Sequence, residues 1–356
     1  MKRLKEMAIL FLLSLIAINC SSEDKTEMKS RIDLIQNDKE QKVDVMVDGK
    51  LFTSFLYSDQ ISVLKKPVLY PLISANGVTI TRGYPLDPKP GERTDHPHHI
   101  GAWLNYGDVN GLDFWNNSDA IPEERVKEMG IIRLEKINRL ESGDGQAELS
   151  VTCDWTNSEG KVLLKENTDF IFRAEKGKRI IDRITTLTAQ KEPVEFKDNK
   201  EGMIGIRVAR GLEHPSDKPV TLSDAHGKKT DVPVLDNTGV TGHYLSSEGI
   251  EGMEVWGKRA KWVALSGTVD GKDVTVVIMD EPSNVGYPTY WHARGYGLFA
   301  ANPLGQKIFS NGKEELDFTL GPEESITFKY RIEILDGKSS KKQLEEEYNK
   351  FVKKER

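Results

Sequence analysis

The sequence predicts an all-β protein, a large antiparallel β-sandwich of the supersandwich kind with a short C-terminal helix, and three observations carry that prediction. Segments of roughly five to ten residues, rich in β-branched and aromatic side chains, recur along the chain between Gly, Asn, Asp and Pro. Neither a strand–helix alternation of the kind that builds a parallel sheet nor an internal repeat interrupts them. The period changes only at the end, where Leu344, Tyr348 and Phe351 share one helical stripe among the charges of Lys341–Lys353.

Lys2, Arg3 and Lys5 precede an apolar run from Met7 to Ile18. That run is shorter than the ~20 residues a helix needs to cross a bilayer, so residues 1–19 read as a signal peptide. The run stops at Cys20, which is followed by Ser21-Ser22-Glu23-Asp24. A Cys closing an apolar signal resembles a bacterial lipoprotein processing site, and the acidic stretch is similar to a surface-export tag. The resemblance implies lipidation of Cys20 and an exported protein anchored to the outer membrane, on its periplasmic or cell-surface face. An ordinary cleaved secretory signal is the alternative. Polar residues then form a tether over 20–39, a single sandwich domain is expected over 40–337, and the helix over 338–356.

Within the domain, the first hairpin alternates around Asp48-Gly49, a pair that favours a tight turn. Further strands are expected at Ile131–Leu140, Gln146–Trp155, Val162–Arg173, Lys178–Leu187, Val194–Phe196 and Gly205–Ala209. Others follow at Trp262–Val269, Val274–Asp280, Leu316–Leu320 and Ser325–Leu335. With Cys20 lipidated, Cys153 remains alone; it faces the side of Leu149, Val151 and Trp155 and reads as a buried thiol. The fold must therefore stand on its core rather than on disulfides.

Composition narrows the function. The 356 residues carry 50 basic and 56 acidic side chains, a net charge of −6, which argues against a nucleic-acid partner. With 37% hydrophobic and 30% charged residues, the chain is neither disordered nor a multi-span membrane protein, and no apolar run after the signal approaches ~18 residues.

Three stretches depart from plain strand patterning: Tyr70–Trp103, Glu201–Arg207 and Tyr287–Gly305. The first and third hold four of the seven His and two of the six Trp, together with several Arg, the residue types that sugar sites combine. Asp95-His-Pro-His-His-Ile-Gly101, Gly107–Trp115 and Ala293–Gly305 resemble the signatures of a bacterial family described as methane oxygenase PmoA-like or as a domain of unknown function. Members are often encoded near sugar-processing oxidoreductases and hydrolases, so the resemblance implies carbohydrate metabolism. The many-stranded pattern with its His-rich block is also similar, at fold level, to galactose-mutarotase-type supersandwiches.

Two chemistries compete for the same side chains. In the first, His98 or His292 transfers a proton at a sugar carbon or glycosidic oxygen, as in an epimerase, lyase or hydrolase, with Glu201 as the complementary carboxylate. Arg82, Arg93, Arg207 and Arg294 hold hydroxyls or a uronate carboxylate, Trp103, Trp115 and Trp291 stack on the pyranose ring, and Asn302 completes the set. Each Arg alone reads as a salt bridge and each Trp alone as core; clustering carries the assignment.

In the second, His96 and His98 face one side of a strand and join His292 around a divalent transition metal such as zinc, iron or copper. Pro97, however, pushes the block to an edge or loop. The Glu that follows His-x-His in cupins is also missing, since Gly101, Ala102 and Trp103 stand there. A non-catalytic glycan-binding lipoprotein is the third class. His214, His226 and His243 read as loop residues without a role.

A Cys20→Ala variant expressed in a Gram-negative host should lose incorporation of labelled palmitate and leave the membrane fraction. Unchanged labelling would remove the lipid anchor.

Overall fold

The computed structural model describes residues 29–354; the signal peptide, Cys20 and the first part of the tether lie outside the described residues. Segments that alternate apolar and polar side chains, such as Gln146–Thr156 and Val162–Glu175, bury one face and wet the other. They pair antiparallel with their neighbours, and two large sheets result.

The first sheet runs, neighbour to neighbour, through Tyr290–Ala293, Leu298–Asn302, Ile204–Arg207, Ala102–Leu104, Val68–Leu69, Lys50–Leu56, Lys42–Val47, Arg31–Asn37 and Gly143–Asp144. The second runs through His243–Ser246, Trp262–Val269, Lys272–Asp280, Ser325–Asp336, Lys178–Ala189, Val162–Glu175, Gln146–Thr156 and Ile131–Glu141. Val194–Phe196 and Phe318–Leu320 form a separate small pair. One apolar core lies between the large sheets, with Phe52 edge-on to Phe172 and Phe55 against Phe170. Cys153 and Trp155 are buried in it, as expected.

The Asp48-Gly49 turn forms with both residues at positive φ, the geometry a two-residue hairpin of this twist requires. The tether expected to reach Lys39 is shorter: Arg31–Asn37 pairs with Lys42–Val47 and buries Ile32 and Leu34 in the core. Its two inward apolar residues sit among charges, too brief an alternation to stand out in the sequence. The C-terminal helix spans Lys341–Lys354 and lays Leu344, Tyr348 and Phe351 on Trp262, Val277 and Met279, covering the outer face of the second sheet. No helix among the described residues is long and apolar enough to cross a membrane.

The outer face of the first sheet is covered differently. Leu64, Val68, Ile100, Trp103, Trp115, Leu298 and Ala300 form a second apolar cluster beneath loops. Strands such as Leu298–Asn302 are consequently buried on both faces. They lack the alternation that marks a half-wet strand, which is why they were not expected from the sequence.

Glu333 introduces a pH dependence into this frame. It is 0% exposed, neither carboxylate oxygen has a hydrogen-bond partner, and Arg331 Nη1 is 3.6 Å away. Burial pushes its pKa up to about 7, against the pull of Lys178 and Arg331; Glu347 and Asp182 add to the rise. The folded state thus binds a proton that the unfolded chain releases near 4.5. This contribution is whole below that pH and is lost as pH rises through 7. Urea unfolding at pH 5 and pH 8 should show Glu333→Gln flattening the decline by about 3 kcal/mol at most, with a remaining slope from Asp280, also raised to about 7 by burial.

Candidate functional site

The His-rich block is a turn, not a strand. His99 N–H donates to the His96 carbonyl at 3.0 Å, and His96 adopts φ 45°. Pro97 sits inside this turn, and pairing resumes only at Ala102–Leu104. A single guanidinium holds the turn in place. Arg82 Nη1 donates to the carbonyls of Arg93 (3.1 Å) and Asp95 (2.8 Å) and to Asp95 Oδ1 (2.9 Å). Its Nη2 donates to the carbonyls of His96 (2.9 Å) and His99 (3.3 Å).

Arg207, fully buried on the neighbouring strand, donates from Nη2 to the same Asp95 Oδ1 at 2.5 Å. Burial alone would raise the Asp95 pKa. His96, Arg207 and Arg82 outweigh it and hold the carboxyl far below its usual range. The other oxygen, Oδ2, lies 3.4 Å from His96 Nδ1.

Rings stack above this clamp. Tyr296 lies on His96 at 5.0 Å between centroids, His96 on His99 at 4.9 Å, and His99 on Trp103 at 5.2 Å, all close to parallel. The Trp115 indole can only donate, and at 3.1 Å it donates to His99 Nε2, while Arg207 Nη1 lies 3.4 Å from His99 Nδ1. Burial, with His98 and Arg207 nearby, pushes the His99 pKa well down.

Across the sheet face runs a row set by register: His292 opposite Ala300, Ala300 opposite Gly205, Gly205 opposite Trp103. Gly205 is required there, because a Cβ would stand 2.9 Å from Trp103 Cζ2. Arg294 donates from Nε to His292 Nε2 at 3.2 Å, which leaves the His292 proton on Nδ1, 3.6 Å from Glu201 Oε2. His292 is 1% exposed, and burial, then Arg294 and Lys200, lower its pKa to about 3. The Glu201 loop is anchored from below: Asn302 Nδ2 donates to the Asn199 carbonyl at 2.8 Å, and Gly107 N–H to the Glu201 carbonyl at 2.7 Å. Lys200 pairs with the Glu201 carboxylate at the surface.

The half-exposed rim therefore consists of Asp95, His96, Glu201, Arg294 and Tyr296, with Trp256 under the Arg294 guanidinium at 5.0 Å. Tyr296 is in electrostatic reach of Arg207, Glu201, Arg294 and Asp95; burial raises its pKa to about 12. His292 and His96 are likewise in electrostatic reach of each other.

Several expected roles change. His98 is 8% exposed, and burial together with Lys66 lowers its pKa to about 2, so it cannot serve as an imidazolium near neutral pH. Lys66 Nζ donates to the His98 carbonyl at 2.9 Å, a further support of the turn. His96 is 38% exposed and lies beside the Asp95 carboxylate. Trp103 and Trp115 lie in the cluster under the turn, and Trp291 faces the inter-sheet core, its indole donating to the Ala260 carbonyl, so none can stack on a sugar. Arg93 is tied to buried Glu213 at 2.7 Å, and Arg82 and Arg207 brace the turn. Asn302 is fully buried and shapes the Glu201 loop.

The three-His metal site does not form: His96 and His98 lie edge to face at 5.7 Å, and two guanidiniums sit directly beneath the turn. Among the described residues, no group of three His, Cys, Asp or Glu converges as metal ligands. Trp256 and Tyr296 were not expected as rim residues. Trp256 carries no sequence signal, whereas Tyr296 stands inside the third unusual stretch.

A two-sheet antiparallel sandwich with a His-, Arg- and carboxylate-lined rim on one outer sheet face defines the class of this protein. The chain belongs to the Family of unknown function (DUF6807), which its residues 42–349 match; the methane-oxygenase name is not the one this match carries. No curated protein matches it. Among solved structures, it is similar to the galactose 1-epimerase of Lactobacillus acidophilus NCFM, with 10% identity, a TM-score of 0.40, and 87% of this chain and 100% of that one covered. It is also similar to a galactose mutarotase-like protein of Clostridium acetobutylicum, with 12% identity, a TM-score of 0.37, and 86% and 99% covered. A GH36 alpha-galactosidase of Geobacillus stearothermophilus shows 11% identity, a TM-score of 0.38, and 85% and 41% covered. The chain thus spans about two fifths of the length of the alpha-galactosidase chains it matches.

Arg82→Met should leave Asp95 and four carbonyls without their shared donor. Chemical denaturation should report a loss of about 3–5 kcal/mol, the usual scale for breaking a buried ion pair. A loss below about 1 kcal/mol would show that the turn holds without the clamp.

Proposed function

We propose that the protein acts on a carbohydrate by proton transfer at this rim, with His96 and Glu201 as the exchanging groups. The observation that carries the reading is a pair of imidazole–carboxylate couples, Asp95 with His96 at 3.4 Å and Glu201 with His292 at 3.6 Å. Asp95, kept ionised by two guanidiniums, lies 3.4 Å from His96 Nδ1 and orients the ring. Neutral His292, its Nε2 held by Arg294, has its Nδ1 3.6 Å from the Glu201 carboxylate and does not compete with it for the proton. Contacts of this kind often shorten only in the substrate complex. One group takes a proton from a ring carbon or hydroxyl while the other returns one, the chemistry shared by epimerases, lyases and hydrolases. Tyr296 and Trp256, rather than the buried tryptophans, supply the apolar surfaces for a sugar ring.

The same reading places the chain outside the cytoplasm, held through Cys20 at the outer membrane. Its support is the N-terminal sequence. A glycan-binding lipoprotein without turnover is the competing reading, favoured if the rim binds sugars but moves no proton.

Proton NMR of hexoses and glycosides in deuterated buffer tests the reading. The native chain should catalyse anomer interconversion, ring-proton exchange or bond cleavage in at least one sugar. His96→Gln and Glu201→Gln should each slow it by about 10²–10⁴-fold while the melting temperature barely moves. Binding without catalysed change would leave a lectin-like role, and an undiminished rate in both variants would remove the rim from the chemistry.

A further inference from the structure

Charge pairing around the rim leaves the Arg294 guanidinium without a carboxylate among the described residues. Asp95 is shared by Arg82 and Arg207. Glu213, buried, is held by Arg93 at 2.7 Å and flanked by Arg210 at 3.8 Å, which also approaches Asp236. Glu201 is taken by Lys200.

Arg294 differs from all of these. Its Nε is committed to His292 and its guanidinium carbon lies 5.0 Å from the Trp256 ring centre, but neither Nη atom has a partner among the described residues. The planar fork is thereby fixed in orientation from behind and from one side, and its two outer nitrogens are left for something else. Buried donors without acceptors sit in the same cluster: Arg207 Nε, and Nε1 of the Trp256 indole on which Arg294 rests. A chain of net charge −6 thus gathers unpaired donors and a surplus guanidinium at its candidate site.

Resting on the carbohydrate reading above, we propose that the substrate is an acidic sugar whose carboxylate is bound by the Arg294 fork. A carboxylate offers two coplanar oxygens at the spacing of the Nη1 and Nη2 donors, and such bidentate pairs are short and directional. A neutral hydroxyl would satisfy only one donor and leave the positive charge unbalanced as the site closes over the ring. The position also suits the chemistry. Arg294 contacts His292, which lies 3.6 Å from Glu201, so a carboxylate on the fork places the sugar ring beside the Glu201–His292 couple. A carboxylate bonded to a ring carbon also acidifies the proton on that carbon, which eases the proton abstraction proposed for the rim.

Titration calorimetry on the mature chain, with sodium D-galacturonate, sodium D-glucuronate, their methyl esters, D-galactose, D-glucose and D-glucose 6-sulfate as probes, tests this. At least one uronate should bind about tenfold or more tightly than its methyl ester and the matching neutral sugar, and more tightly than the sulfate. Arg294→Gln should erase the difference between acid and ester, and Arg294→Lys should restore only part of it, because the charge returns without the fork. The free-chain melting temperature of both variants checks that they remain folded. If neutral sugars and esters bind as well as the acids, the acidic-sugar assignment falls and the carbohydrate reading stands. A sulfate preference replaces the carboxylate with another oxyanion and likewise overturns the assignment. If no probe binds, the carbohydrate reading fails and the assignment with it.

Discussion

Arg82 is the side chain on which the arrangement depends. A turn carrying three imidazoles and a proline has little reason to keep one shape, since its carbonyls point inward and find no strand to pair with. One guanidinium, 1% exposed, satisfies four of those carbonyls and one carboxylate oxygen at once. Lysine could not do this: a single ammonium lacks the flat spread of donors that reaches both ends of a turn. Desolvating the cation is costly, and its pKa falls to about 9 through burial and the proximity of Arg207. The carboxylate it shares with Arg207 offsets that cost and, in doing so, keeps Asp95 charged beside His96.

Much of the frame can be read from the sequence. Strands with one wet face, such as Val162–Glu175, and the stripe of the C-terminal helix announce themselves by period. Strands covered on both sides can escape notice, because Leu298–Asn302 is sealed between two apolar clusters and carries no alternation. The N-terminal strand hides for the opposite reason, with too few apolar residues among its charges.

The site was legible as a set of neighbourhoods and not as a set of roles. Density of His, Arg and Trp marked the first and third stretches, and the structure brings Glu201, His292 and Arg294 together. Which imidazole meets solvent depends on a turn whose shape comes from Arg82, more than ten residues upstream of His96 and with no signature of its own. The indoles were misjudged because size and polarity alone do not distinguish a ring that floors a site from one that lines it. Trp103 supports His99 from beneath, while Trp256 reaches the rim only through tertiary packing.

The contacts that define the rim also set an order of assembly. Arg207 and Asp95 are 112 residues apart in the chain, Asn302 and Asn199 are separated by 103, and Arg93 and Glu213 by 120. Loop-closure entropy must be overcome before such pairs form, whereas hairpins of the second sheet close locally. An emerging or refolding chain can therefore acquire most of its β-structure while the rim is still unbuilt. Completion of the rim and gross folding would then be distinct events in time, with the rim the slower of the two.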